Sequence, residues 1–160
     1  MITEINDTNI YVGDHESSLL RSNPDWAVVN AAKTVHCEIM GWDNRPPRDH
    51  PNYLSYEDGQ LLSFNWVDGE ARLYALSGAA EFNRALDFID QWRDTKKVLI
   101  TCDKGESRSP TVALLYLAKR LDKISDKSFA HARIDFEALY PENAPSGIAD
   151  FVSAHWSDIA

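Results

Sequence analysis

Short apolar blocks alternate with polar stretches along the first half of the chain. The blocks at 10–13 (IYVG) and 26–32 (WAVVNAA) are β-branched or aromatic and predict buried strands, while DHESSLLR between them predicts a short helix. The block at 61–68 (LLSFNWVD) predicts another strand. Residues 43–60 are polar and rich in proline, so they predict a long loop. The chain therefore opens as a β-α-β unit.

The second half of the chain shows helical spacing on both sides of one apolar strand. In residues 77–94 apolar side chains recur at helical spacing, and Ser77 can cap the start of that helix. The run VLIT at 98–101 is typical of a central parallel strand that is covered on both faces. The next helix, from about Arg108 to Leu121, is apolar nearly all round and should be buried. Two further helical patterns, SFAHARIDFEALY and SGIADFVSAHW, follow.

Strands that alternate with helices predict an α/β fold. We expect a central, mostly parallel sheet of about four to five strands that is flanked by helices. A length of 160 residues suits one core and leaves little room for a second. Residues 1–160 are therefore interpreted as a single domain.

Charge and composition exclude several classes of protein. A net charge of -9 argues against a general nucleic-acid or anionic-membrane surface, so any phosphate site must be local. The longest apolar run, Val112 to Ala118, is far shorter than the roughly 20 residues of a membrane span. The N-terminus carries acids where a secretion signal would carry bases, which predicts a cytoplasmic protein. Two cysteines, Cys37 and Cys102, argue against a disulfide framework.

Cys102 directly follows the apolar strand and opens a polar loop into a helix. That loop is Asp103-Lys104-Gly105-Glu106-Ser107-Arg108. The carboxyl end of a central strand is the usual ligand site of an open α/β sheet. A loop curled into a helix N-terminus directs backbone N–H groups into one concavity, where the helix dipole adds partial positive charge. Such a loop binds a tetrahedral dianion and stabilises a thiolate at Cys102, which makes the sulfur a nucleophile.

Arg108 and Gly105 suit an anion-binding loop. The planar guanidinium of Arg108 can grip two phosphate oxygens, and Gly105 lets the loop turn at close approach to the ligand. The Cys-x5-Arg spacing alone is a weak signal, but the strand-loop-helix context strengthens it. The alternative is a buried structural cysteine, which so charged a loop disfavours.

The stretch VLITCDKGESRSPT resembles the signature of the cysteine-dependent protein tyrosine phosphatases, and within them of the small dual-specificity phosphatases. The resemblance extends to FNRALDFIDQWRDTKK, NIYVGD and VVNAA, and so covers most of the chain. It implies the fold of those enzymes, with Cys102 as nucleophile, Arg108 as phosphate clamp and Ser109 as the hydroxyl that eases departure of the thiolate. The family usually has histidine before the cysteine. In that family the histidine helps to set the pKa of the cysteine thiol. This chain has Thr101 there, so the resemblance implies a less reactive Cys102.

Cleavage of a phosphate ester by a thiolate also needs a proton donor for the leaving oxygen. Asp68 is the candidate because it ends a predicted strand, precedes Gly69 and lies 34 positions (102 - 68) before Cys102, close to the separation in the dual-specificity family. Asp68-Gly69 as a simple turn is the alternative. Glu70 is the main substitute for the acid role, and Asp58 is a more distant one. Asp68 would protonate the leaving group and then deprotonate the water that hydrolyses phosphocysteine.

The chemistry requires no cofactor and no metal. The five histidines are scattered and show no metal-ligand spacing. Cys37 is interpreted as a buried strand residue, with a resolving thiol for Cys102 as the alternative. Arg45, Arg48 and Tyr53 can touch a substrate at the rim of the site, although a solvated loop is the simpler interpretation.

The sequence thus predicts a phosphomonoester hydrolase, a cysteine-dependent protein tyrosine or dual-specificity phosphatase. Its substrate would be a phosphorylated protein or a small phosphomonoester. The chain is too short for the longer tyrosine-specific domain, which favours a shallower site. Two alternatives remain open, a phosphoinositide or other small-ester phosphatase with the same chemistry, and a phosphate-binding pseudophosphatase. No pattern in the chain indicates an oligomeric state.

Overall fold

The computed structural model describes residues 1–160 and contains a six-stranded mixed sheet. The strands are β1 (Ile2–Glu4), β2 (Ile10–Gly13), β3 (Trp26–Asn30), β4 (Ser55–Asp58), β5 (Leu61–Phe64) and β6 (Lys97–Thr101). They lie in the order β1-β2-β6-β3-β5-β4, in which the four inner strands are parallel and the two edge strands pair antiparallel. The predicted α/β class with a mostly parallel sheet is confirmed, with an antiparallel strand added at each edge.

Five α-helices and three 3₁₀ helices accompany the sheet. The α-helices are α1 (Lys33–Met40), α2 (Gly78–Trp92), α3 (Arg108–Lys119), α4 (Phe129–Leu139) and α5 (Gly147–Ala154). The 3₁₀ helices cover Glu16–Ser22, Ala71–Tyr74 and Trp156–Asp158. Helix α3 is buried from its first residue to Ala118, as its apolar surface predicts. None of the helices combines the length and apolar composition that a membrane-spanning segment requires.

Side chains on the two faces of the sheet enter different apolar clusters. On one face, Val29 and Ile100 belong to the main core together with buried residues of helices α2 to α5. On the other face, Val28 and Leu99 form a small cluster with Trp26. Because alternate residues of a strand point to opposite faces, the continuous apolar runs of β3 and β6 are explained by burial on both faces.

The central position of β6 determines where the cysteine loop lies. β6 pairs in parallel with β2 on one side and with β3 on the other, and Thr101 is level with Gly13 and Asn30. The chain then leaves the middle of the carboxyl edge of the sheet at Cys102 and enters α3 at Arg108. This edge is where parallel α/β sheets bind their ligands.

Two expectations about the region 43–68 are wrong. The strand predicted at 61–68 is β5, which ends at Phe64, so Asp68 lies in a loop rather than at a strand end. The loop predicted at 43–60 contains β4, because residues 55–58 form a hairpin with β5 around Gly59, whose φ is +56°. Edge strand β4 is half-exposed and carries little of the apolar alternation that identifies a strand.

Two expectations about single side chains are also wrong. Cys37 is buried in helix α1 and not in a strand, and its burial raises the pKa of its thiol, which keeps it neutral. Ser77 precedes α2 but makes no side-chain cap. Its hydroxyl instead accepts a hydrogen bond of 3.0 Å from the indole Nε1 of Trp66, because that buried donor has to be satisfied.

Candidate active site

The loop between β6 and α3 encloses a small pocket of about 210 Å³, here called the cysteine pocket. Its lining residues are Asp68, Cys102, Asp103, Lys104, Glu106, Ser107, Arg108 and Ala144. The structure thus brings the distant Asp68 to the same pocket as Cys102 and Arg108. Of the loop residues singled out from the sequence, Gly105 alone does not line the pocket.

The backbone of the loop presents a set of free donors. Among the hydrogen bonds of turns, loops and caps, none has an amide of residues 103–107 as its donor. These amides precede α3, whose N-terminus adds partial positive charge. Unpaired amides at a helix N-terminus are the recurring protein solution for holding phosphate. The arrangement therefore suits a tetrahedral anion above Cys102.

Gly105 has a backbone conformation and close contacts that only glycine readily allows. Its φ of +72° is the left-handed conformation that favours glycine, and a Cβ placed there would lie 3.1 Å from the carbonyl oxygen of Gly13. The carbonyl of Gly105 accepts a hydrogen bond of 2.6 Å from the hydroxyl of Tyr140. Burial raises the pKa of Tyr140 to about 12, so this hydroxyl remains a donor at neutral pH. The close approach made by Gly105 is therefore to Gly13 at the end of β2 and to Tyr140, which follows α4, and not to the ligand.

Cys102 is almost fully buried, and its sulfur has a hydroxyl partner. Cys102 Sγ lies 3.1 Å from Ser109 Oγ, and Ser109 Oγ lies 3.4 Å from the carbonyl oxygen of Gly13. A serine hydroxyl carries one proton, so it can serve the sulfur or the carbonyl but not both. When Cys102 is a thiolate it can only accept, and Ser109 is then the donor.

Thr101, which precedes the nucleophile candidate, is fully buried in β6. Its Oγ1 atom has no hydrogen-bond partner in the structure. The side chain of Thr101 therefore supplies no hydrogen bond to the cysteine loop and contributes packing alone.

Arg108 is buried and held on two sides. Its Nη1 donates to the carbonyl of Trp66 and its Nη2 to a carboxylate oxygen of Asp103, each at 2.8 Å. Its Nε is buried and has no partner. Arg108 lines the cysteine pocket, and its buried Nε–H is a donor that remains available to an acceptor such as a phosphate oxygen.

Asp68 lies on an exposed loop that other residues hold in place. Its Oδ1 accepts a hydrogen bond of 2.5 Å from the hydroxyl of Ser146, and the carbonyl of the preceding Val67 accepts one of 2.9 Å from Tyr74. Burial raises the pKa of Tyr74, so this donor also stays protonated. The two alternative acids do not line the cysteine pocket, since Asp58 ends β4 and Glu70 forms an exposed ion pair with Arg72.

Residues 140–147, here called the bracing segment, contact both loops of the pocket. The amide of Ala144 donates to the carbonyl of Glu106 at 2.7 Å, and the amide of Ser146 donates to the hydroxyl of Ser107 at 3.0 Å. Together with the contacts of Tyr140 and Ser146 described above, these bonds tie the cysteine loop to the loop of Asp68. The sequence does not reveal the role of this segment because PENAP indicates only a turn, and contacts between residues so far apart in the chain leave no local pattern.

Gly147 allows the bracing segment to approach the loop of Asp68. A Cβ at Gly147 would lie 2.2 Å from the carbonyl oxygen of Gly69 and 2.6 Å from the amide nitrogen of Ala71. Backbone atoms cannot rotate away as a side chain can. The start of α5 and the segment 69–71 are thus in direct contact, and only glycine fits between them.

We expect Gly147→Ala to displace the loop that carries Asp68. The added methyl group should lower the free energy of unfolding by about 1–3 kcal/mol, as overpacking does. Urea denaturation measures this loss, and Ser153→Ala, on the exposed face of the same helix, is the matched control with little expected change. An unchanged free energy of unfolding in Gly147→Ala would show that the contact is looser than the structure has it.

No family model matches the chain. Dual specificity protein phosphatase 5 of Rattus norvegicus is 39% identical to it over 59 residues. That match covers 36% of this chain and 15% of the relative's length.

Solved structures of phosphatases share the fold over nearly the whole chain. DUSP15 superposes with a TM-score of 0.62 at 15% identity, over 97% of this chain and 86% of its own. The Yvh1 phosphatase domain of Chaetomium thermophilum also has a TM-score of 0.62, at 17% identity over 99% of this chain and 96% of its own. At such identities the likeness is one of fold. The sequence match and the shared fold together confirm the resemblance to dual-specificity phosphatases.

Proposed function

We propose that this chain, which is related in sequence and fold to the dual-specificity branch of the cysteine-dependent protein tyrosine phosphatases, hydrolyses phosphomonoesters through a phosphocysteine intermediate on Cys102. The observation that carries the proposal is the cysteine pocket, where a thiol, a buried arginine with a free Nε–H and a carboxyl group face one small volume. Free loop amides complete a cradle for the phosphoryl group.

The first step transfers the phosphoryl group to sulfur. The thiolate of Cys102 attacks phosphorus, the bond from phosphorus to the ester oxygen breaks, and that oxygen takes a proton from Asp68. Arg108 holds the phosphoryl oxygens through its Nε–H, while Trp66 and Asp103 fix the plane of its guanidinium. The loop amides of residues 103–107 stabilise the charge on the phosphoryl oxygens throughout.

The second step releases phosphate and restores the thiolate. Asp68, now a carboxylate, removes a proton from water, and the water oxygen attacks phosphorus. The bond between phosphorus and sulfur breaks, and the electron pair returns to Sγ of Cys102. Ser109 lies 3.1 Å from that sulfur and donates its hydroxyl proton in a hydrogen bond to the departing thiolate.

The substrate class follows from the walls of the pocket. None of its lining residues is aromatic, so no deep aromatic slot selects phosphotyrosine alone. A shallow pocket accepts phosphotyrosine and also the shorter phosphoserine and phosphothreonine. The substrate we propose is a phosphorylated protein, with the soluble phosphate esters used in assays as surrogates.

Two broader assignments belong to the same proposal. The chain acts as one catalytic domain over residues 1–160, because the main core draws on residues from Ile5 to Ile159. A cytoplasmic location is consistent with two cysteines that form no disulfide.

Hydrolysis of a generic aryl phosphate by the wild-type protein tests the proposal. We expect turnover that persists in the presence of a metal chelator, because the thiolate supplies the nucleophile. Rapid mixing with excess substrate followed by acid quenching should trap phosphate on Cys102, which mass spectrometry can locate. A protein that binds inorganic phosphate but hydrolyses no ester would instead be a phosphate-binding module, and the proposed activity would be wrong.

We expect Asp68→Asn to lower kcat by about 100-fold, since a positioned general acid contributes on that order. The decline of kcat with rising pH that an ionising acid produces should also disappear, and a pH profile of the aryl phosphatase reaction measures both. Glu70→Gln is the matched control, because this exposed carboxylate lies outside the cysteine pocket. If Glu70→Gln shows the larger loss, the acid has been assigned to the wrong residue.

A further inference from the structure

A second and larger pocket, of about 520 Å³, is lined by four cations and no carboxylate. The cations are Lys33, Arg45, Arg48 and Arg72, and we call this the basic pocket. The protein as a whole has only 16 Lys and Arg residues against 25 Asp and Glu, and a net charge of -9. Four cations around one cavity are therefore a local reversal of the charge of the molecule, which attracts anions to this pocket.

Three of these cations lack the ion pairs that would neutralise them. Lys33, Arg45 and Arg48 take part in none of the salt bridges of the structure. Arg72 pairs with Glu70, but both side chains are about three-quarters exposed, so that pair is weak. The charge of the basic pocket is thus available to a ligand.

Exposed apolar side chains also line the basic pocket. Val67, Leu73 and Leu76 line it, and all three are among the few large apolar side chains that the protein exposes to solvent. Leu54 is a further apolar lining residue. A cavity lined by both cations and aliphatic side chains matches a ligand that has an anionic group and an apolar group close together.

One short segment contributes residues to both pockets. Val67 lines the basic pocket and the adjacent Asp68 lines the cysteine pocket. The carbonyl of Trp66 accepts from the amide of Lys33 and from Nη1 of Arg108, each at 2.8 Å. Val67 and Asp68 are consecutive in the chain, so the basic pocket and the cysteine pocket share this stretch of backbone.

We propose that the basic pocket is an anionic subsite for the protein substrate. It would bind an acidic or second phosphorylated side chain that flanks the phosphorylated residue held over Cys102, with an apolar neighbour against Val67, Leu73 and Leu76. This inference rests on the proposed phosphatase activity and adds a selection rule to it. The enzyme prefers phosphopeptides that carry a further negative charge near the scissile phosphate.

A peptide fits this pair of pockets better than a membrane lipid does. Anionic membranes demand a broad basic face, and the net charge of -9 would repel such a surface. Pairing two cations with one flanking side chain requires only the local charge that the basic pocket has. An extended peptide advances about 3.3 Å per residue, so we expect the flanking acid to lie within about three residues of the phosphorylated residue. Each of these few positions can be tested in turn.

The test compares phosphotyrosine peptides that have a glutamate or a phosphoserine at one flanking position with a peptide that has only alanine there. We expect kcat/KM of the wild type to be about tenfold higher for the best acidic peptide, mainly through KM, and to lose this preference near 1 M salt. In Arg45→Gln/Arg48→Gln the preference should vanish while aryl phosphate turnover stays at the wild-type level. Lys123→Gln/Lys127→Gln is the matched control, since it removes the same charge from exposed residues that line neither pocket.

The outcomes separate failure of the subsite from failure of the activity. Equal kcat/KM for acidic and alanine peptides in an active wild type would refute the proposed subsite but not the proposed phosphatase activity. A drop with Arg45→Gln/Arg48→Gln on a soluble short-chain phosphoinositide, but not on peptides, would show that the pocket serves a lipid headgroup. If the wild type hydrolyses nothing, fluorescence anisotropy with the same labelled peptides measures binding, and loss of acidic-peptide binding in the double variant would still support the subsite.

Discussion

Replacing Cys102 by serine is expected to lower aryl phosphate turnover by more than about 1000-fold, because the proposed nucleophile is lost. A serine hydroxyl is far less acidic than a thiol and gains no adjacent base here, since its neighbour Ser109 is itself a hydroxyl. The loop amides and Arg108 are unchanged by the substitution. The variant should therefore still bind inorganic phosphate with wild-type affinity.

Steady-state kinetics measures the loss of turnover, and isothermal titration calorimetry with inorganic phosphate measures the retained binding. Cys37→Ser is the matched control, because Cys37 is the second free cysteine and lies in α1, outside the cysteine pocket. We expect Cys37→Ser to keep most of the turnover. Turnover that survives in Cys102→Ser would rule out phosphocysteine and point to a different nucleophile.

Replacing Arg108 by lysine is expected to lower kcat/KM by about 1000-fold, as loss of a central transition-state donor does. The guanidinium reaches Trp66 and Asp103 at once and still keeps its Nε–H for substrate. A lysine ammonium is a point charge without that fork, so it cannot satisfy both protein acceptors and hold the phosphoryl oxygens as well. Charge is conserved in Arg108→Lys, which isolates geometry as the cause.

Two measurements make this second result interpretable. Thermal unfolding shows whether Arg108→Lys remains folded, since the arginine is buried and its loss also affects Asp103. Binding of vanadate, an anion that adopts the geometry of the phosphoryl transition state, should weaken in parallel with kcat/KM. Arg133→Lys, at a half-exposed helix position, is the control with unchanged kinetics. A folded Arg108→Lys protein that keeps wild-type kcat/KM would show that the reaction does not need the guanidinium of Arg108 to hold the phosphoryl oxygens.

Local sequence patterns predicted the part of the site that is continuous in the chain. An apolar run, a polar loop with glycine and an apolar helix located Cys102 and Arg108, because strand, loop and helix follow one another without interruption. The pocket contains both residues, as that pattern implied. Asp68 was found by its separation from Cys102, although the strand assumed to carry it ends at Phe64.

The remainder of the site depends on contacts that leave no local pattern. Tyr140, Ser146 and Gly147 look like an aromatic helix end, a turn residue and a helix start when they are considered along the chain. Their importance comes from Gly105, Asp68 and Gly69, which are distant in sequence and adjacent in space. Helix α1 and strand β4 were also missed, since both are short and only partly buried, and β4 is defined by its pairing with β5 rather than by periodicity.

The bracing segment also determines when the site can form. Domains fold from the N-terminus onwards as the ribosome extends the chain. The cysteine loop and the loop of Asp68 are both synthesised before residues 140–147, and each takes hydrogen bonds from that segment. A nascent chain that stops short of the segment carries the thiol without the contacts that position it. The order of synthesis therefore leaves Cys102 without these contacts until the last part of the fold has been made.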